Sequence, residues 1–142
     1  SMKLLLPLSV TIPRKTKADM VFALNLNIYR NAHYMTLNPA KVLFKEKVEW
    51  IVSVCNFKVE FPPPYHFRYT VFPKDGRAFD LGNVLSIVQK FNDDALIELG
   101  LITNDNYKIV RAVDYRFGHP DKDSARVELQ IRPYIEDVWE KP

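Results

Sequence analysis

From Lys3 to Ile12 the chain is mostly apolar with polar positions interleaved, which predicts an opening strand. A basic loop follows, and Val21 to Leu26 reads as a second extended piece. Asn38-Pro39 supplies an N-cap and first-turn pair for a helix that carries Leu43, Phe44, Val48, Ile51, Val52 and Cys55. The prolines at 62 to 64 end what precedes them, and Tyr65 to Phe72 alternates as a strand that stops at the turn Pro73-Lys74-Asp75-Gly76. Beyond Asp80 the period changes. At about 100° per residue, Val84, Val88, Phe91, Ala95 and Leu99 share one helical face, while Asn83, Lys90 and Asp94 occupy a separate polar sector. Gly100 suits the C-cap. Tyr107 to Phe117 and Ala125 to Ile131 read as two strands paired with each other through a loop at 119–124. In the second, Ala125, Val127, Leu129 and Ile131 face inward, and Arg126, Glu128, Gln130 and Arg132 face out. The order β-(β)-α-β-α-β-β predicts one α+β domain over residues 1–133, a mixed sheet covered by two helices. Residues 134–142 read as a C-terminal tail in which Val138 and Trp139 offer docking contacts.

With 142 residues, 47% of them hydrophobic, the chain can bury the core of a single domain. The Leu4-Leu5-Leu6 run is too short to span a bilayer and lacks a cleavage-type tail, so no membrane association is expected; Ser1 ahead of Met2 reads as an addition from expression. One cysteine, Cys55, excludes an intramolecular disulfide and suits the reducing cytoplasm; its place on the apolar side of a helix predicts a buried, inert thiol. His33 has no second His or Cys spaced to help it bind metal and reads as a surface or hinge residue. The formal charge of +3 permits a nucleic-acid partner without requiring one. Arg14, Lys15 and Lys17 cluster in one loop, and Arg68, Lys74 and Arg77 precede the acidic helix. They are candidates for a phosphate track, and equally for solvated loop charge.

The segment from Asp80 to Tyr107, DLGNVLSIVQKFNDDALIELGLITNDNY, carries the most specific chemistry. Asp80, Asp94 and Asp105 are hard oxygen donors of the kind Mg²⁺ and Mn²⁺ prefer, and Lys90 suits a phosphate-bearing substrate. Structural roles fit the same residues: Asp80 as a helix cap, Asn104 to Asn106 as turn formers, Lys90 and Asp94 as an i,i+4 pair.

This segment resembles the signature of the RusA family of Holliday junction resolvases in Asp80, Asn83, Lys90, Asp94-Ala95-Leu96, Gly100 and Asn104-Asp105. A weaker likeness runs upstream through Asn25, Asn27, Tyr29, Arg30, His33 and Tyr34, so that the resemblance covers about residues 5 to 133. Two departures stand out. Gly82 occupies the place of the family's second entry acid, and about one helical turn is inserted between Asn83 and Lys90. The resemblance implies a RusA-like fold and a homodimeric, Mg²⁺- or Mn²⁺-dependent endonuclease that resolves branched DNA by paired nicks, in a bacterial or phage-infected cell. It implies metal ligation by Asp80, Asp94 and Asp105, with Asp94 substituting for the acid missing at 82 and Asp93, which points well off the Asn83-Lys90 face, taking no part. Lys90 would stabilise charge on the phosphate, Asn83 would orient a ligand or a bound water, and Arg30 would join the phosphate contacts. The Gly82 departure leaves open a non-catalytic branched-DNA binder of the same fold.

Overall fold

A computed structural model describes residues 2–136. The elements run β1 (Met2–Leu6), β2 (Ser9–Ile12), β3 (Met20–Ala23), α1 (Leu26–Asn31), α2 (Tyr34–Cys55), β4 (Tyr65–Phe72), α3 (Leu81–Glu98), β5 (Val110–Phe117) and β6 (Arg126–Pro133). The class is α+β with a mixed sheet. Among the described residues there are three helices instead of two, α1 being six residues long. Among the described residues no helix is long and apolar enough to cross a membrane.

The expected opening strand is two strands in two sheets. Pro7 lacks an N–H and fixes its φ, so the ladder breaks there. β1 joins a four-stranded sheet of order β1-β6-β4-β5, and β2 pairs with β3 in a separate two-stranded sheet. Within the large sheet β6 is antiparallel to both β1 and β4, whereas β4 and β5 run parallel with α3 as their crossover. This corrects the expected β5–β6 hairpin, because β4 lies between them. Alternation identifies a strand but not its partner. The eight residues between Phe117 and Arg126 suffice to step over β4, since neighbouring strands lie about 5 Å apart.

One sheet face is apolar. Leu4, Leu6, Phe67, Tyr69, Val71, Val127, Leu129 and Ile131 form a core with Ala40, Phe44 and Val48 of α2 and with Leu85, Val88, Phe91 and Leu96 of α3. The expected inward alternation of β6 is present from Val127 onward; Ala125 lies before the strand and is exposed. The opposite face carries His66, Arg68, Thr70, Glu128, Gln130 and Arg132, which alternate with the core positions.

Helix α2 begins at Tyr34, not at the expected Pro39. His33 caps it, Nδ1 accepting the Met35 N–H at 3.1 Å, and Pro39 stands inside the helix. The carbonyl that Pro39 leaves unbonded belongs to Met35, on an exposed turn where water can serve it. Cys55 is exposed, against the expectation of burial, because α2 runs on for almost two turns past Val48, the last of its buried residues. Gly100 has φ +75°, and Leu101 N–H donates to Leu96 O at 2.9 Å, which is the expected glycine C-cap of α3. Tyr134, first residue of the expected tail, donates its N–H to Pro64 O at 2.9 Å. Val138 and Trp139 lie outside the described residues.

The step over β4 depends on Gly118. Its N–H donates to Val71 O at 2.8 Å, and a Cβ there would come within 2.3 Å of the Phe72 ring, on which the Arg126 guanidinium stacks at 4.2 Å. We expect Gly118→Ala to destabilise the fold by about 1–3 kcal/mol in urea unfolding, because the ring must leave that stack. Gly76→Ala meets nothing within 4 Å and should stay within about 0.5 kcal/mol of wild type. Equal effects at the two sites would show that the close approach does not constrain the loop.

Candidate active site

Asp80 is the N-cap of α3. Its Oδ1 accepts the Gly82 N–H at 2.8 Å, satisfying one of the unpaired donors of the first turn. From there the helix crosses the sheet with Leu85, Val88, Asn92 and Leu96 turned inward. The covered arc is therefore shifted from the expected one: Val84 and Leu99 are only half-buried. The shift matters because it carries Asp93, some 80° round from Leu85, to the margin of the buried arc. Asp93 is 8% exposed, whereas Asp94, one residue on, faces solvent.

A cavity of about 390 Å³ opens along this margin, lined by Ser86, Gln89, Lys90, Asp93, Asp94 and Asp105, with Tyr115 of β5 on its sheet side. The structure thus brings together Lys90, Asp94 and Asp105 of the expected site. Asp80 and Asn83 do not line the cavity, and Asp80 lies roughly 9 Å of helix rise from Ser86, the first cavity residue. Among the described residues no three His, Cys, Asp or Glu side chains are grouped closely enough to hold a metal ion. Asp105 is delivered by a loop built on Asn104, whose Oδ1 accepts the N–H groups of Asp105 at 2.7 Å and Asn106 at 3.1 Å. Lys90 stands exposed at the rim with its ammonium 5.8 Å from the Tyr29 ring centre.

Asp93 is the electrostatic centre of this cavity. Its Oδ1 is buried and has no hydrogen-bond partner among the described residues. Burial pushes its carboxyl up, the Asp105 charge adds to that, a hydrogen bond to Gln89 opposes it, and Asp94 contributes further; the result is about 7 against an ordinary 3.8. The Tyr115 hydroxyl is raised by burial and by the Asp93 charge, and donates to Gln89 Oε1. Deeper in, Asn92 donates to the Tyr69 hydroxyl at 3.2 Å, and its own Oδ1 has no partner among the described residues. Tyr69 is held well above its ordinary value by burial and by the nearby Asp93 charge.

The expected phosphate contacts are dispersed. Arg14, Lys15 and Lys17 lie in the β2–β3 loop, where Arg14 Nε donates to Ala18 O at 2.8 Å. Arg30 is on α1, and Lys74 and Arg77 are in the β4–α3 connection, Arg77 paired with Asp75 at 3.3 Å. Arg68 points from the sheet face away from α3 and is held by Asp114 at 3.0 Å.

An aspartate that resists ionisation in the fold lowers stability wherever it must ionise. The folded group binds its proton more tightly than the unfolded chain does. The penalty is therefore absent below the unfolded value of 3.8, grows as pH rises, and is complete above about 7. We expect Asp93→Asn to raise stability by on the order of 2–4 kcal/mol near pH 8 and by nothing near pH 4, measured by urea unfolding at both. An effect of equal size at the two pH values would place the penalty somewhere other than in Asp93 ionisation.

No protein-family model matches this sequence, and no curated protein matches it.

Proposed function

We propose that this protein is a Mg²⁺-dependent endonuclease acting on branched DNA, and that the cavity beside α3 is where the phosphodiester is cut. The observation that carries this reading is the unpartnered, buried Oδ1 of Asp93 held beside Asp105. Two carboxylates that repel each other in a partly closed cavity are relieved by a divalent cation. Mg²⁺ commonly takes one or two carboxylates and completes its shell with water and substrate phosphate, so a third protein ligand is not required. Asp93 and Asp105 would hold it, with Asp94 at the open side. Such an ion supplies an acidified water and neutralises charge on the phosphate.

The chain's own groups account for the rest. Lys90, exposed at the rim, draws the anionic strand in and stabilises charge developing on the phosphate. Gln89 accepts the Tyr115 hydroxyl and stands beside Asp93, where it favours the ionised carboxylate. Asp80 retains the capping role, which sets where α3 begins and hence which residues meet the cavity. Cutting two strands of a four-way junction needs two such sites, which a two-fold homodimer provides.

The runner-up has its own support: Gly82 stands where the family signature has an acid, and Asp80 is committed to the cap. A branched-DNA binder that does not cleave fits those facts. Nicking of a synthetic four-way junction decides between them. The wild type should nick with Mg²⁺ and not with EDTA. Asp93→Asn and Asp105→Asn should each slow nicking by about a hundredfold or more while still binding the junction. Nicking retained within about threefold in both variants would remove the chemistry from this cavity. Junction binding without nicking, in Mg²⁺ and in Mn²⁺, would establish the binder.

A further inference from the structure

On the sheet face opposite α3, parallel pairing sets Arg68 beside Asp114 and Thr70 beside Arg116, and antiparallel pairing sets His66 beside Arg132. A groove of about 460 Å³ runs here between β5 and the chain leaving β6. Its lining holds four guanidiniums, those of Arg68, Arg111, Arg116 and Arg132, against the carboxylates of Asp114 and Glu136. Much of the chain's net charge of +3 is thus concentrated in one groove.

Asp114 organises the floor. Its Oδ2 accepts from Arg68 Nε at 3.2 Å and Nη2 at 3.0 Å, meets His66 Nε2 at 2.9 Å, and lies 3.8 Å from Arg116 Nη2. Burial pushes this carboxyl up, but the hydrogen bonds from Arg68 and His66 together outweigh it and hold it below the usual carboxylate range. One carboxylate shared by so many donors leaves most of their N–H groups without a bond to it. Arg111 and Arg132 have no carboxylate partner among the described residues. Arg111 Nε donates to Tyr107 O at 3.0 Å, and its guanidinium lies 5.5 Å from the ring of Tyr134, which lines the groove, and 5.8 Å from that of Tyr107, which stands beside the groove and is 67% exposed.

We infer that this groove binds single-stranded DNA, with the guanidiniums on the phosphodiester backbone and the tyrosine faces under the bases. Planar guanidinium forks fit phosphate oxygens in pairs. Exposed aromatic planes interleaved with cations are what an unpaired strand uses and an acidic peptide does not need. The groove and the cavity lie on opposite faces of one sheet, so the strand held here is not the one being cut. On the reading of the protein as a branched-DNA endonuclease, this strand belongs to another arm of the branch.

The test is fluorescence anisotropy of a labelled single-stranded 20-mer with the full chain at several salt concentrations. Arg116→Glu/Arg132→Glu should bind at least about tenfold more weakly near 100 mM salt, and the slope of log affinity against log salt should shrink by about 1.4. Tyr107→Ala, which keeps every charge, should weaken DNA by about fivefold or more and leave poly-glutamate binding unchanged. Unchanged DNA affinity in the double arginine variant overturns the inference, as does no binding by wild type. Tighter binding of RNA or of poly-glutamate than of DNA overturns it in favour of that ligand. If this pattern holds while wild type cuts no junction, the groove stands and the nuclease reading falls; normal cutting with unchanged strand affinity in the double variant does the reverse.

Discussion

The packing of α3 across the sheet is the constraint on which the rest depends. Leu85, Val88 and Leu96 must meet Phe67, Tyr69, Leu129 and their neighbours, and that apolar contact sets the rotation of the helix about its axis. Once the rotation is set, Asp93 is left only 8% exposed, at the edge of the cavity. Its carboxylate is caught at the margin of the core beside Asp105, with an oxygen that nothing in the described chain bonds. A buried carboxylate without full pairing is costly. Unpaired groups of this kind concentrate at functional sites, where a substrate or ion completes them. The same sheet separates two chemistries, an acidic cavity on the helix side and an arginine groove on the open side.

Much of the architecture is legible in local pattern. The period-2 run Tyr65 to Phe72, the inward residues of β6 from Val127 onward and the glycine stop at Gly100 depend on neighbours within a few positions, and each is found where the pattern puts it. What depends on distant partners is not legible in this way. β5 and β6 have the alternation of a hairpin, yet β4 inserts between them, because pairing is decided by which strands α3 connects. Pro39 has the look of a first-turn residue, but His33 offers an earlier cap and the helix tolerates the proline on a wet turn.

The site divides the same way. The helical segment, Lys90, Asp94 and Asp105 are signalled by residue type and spacing, and they share one cavity. Asp93 is set aside in the sequence because it points off the Asn83-Lys90 face, and a helical wheel shows angular positions without showing which arc the sheet will cover. Leu85 and Leu96 were the available clue, lying on either side of it in sequence and within about a quarter turn of it in angle. The arginine groove is invisible for a different reason. Arg68, Arg111, Arg116 and Arg132 are scattered along the chain, and only the parallel β4–β5 register with the antiparallel β4–β6 register brings them together.

The central claim is that Asp93 keeps an unpaired carboxyl oxygen in the cavity where we propose that a divalent cation binds. A ¹³C-carboxyl NMR titration of the aspartates, without and with Mg²⁺, measures this directly. The account predicts an Asp93 midpoint at about 7 in the absence of metal, falling when Mg²⁺ is added because the cation favours the ionised form. A midpoint in the ordinary aspartate range near 3.8, unmoved by Mg²⁺, would contradict it.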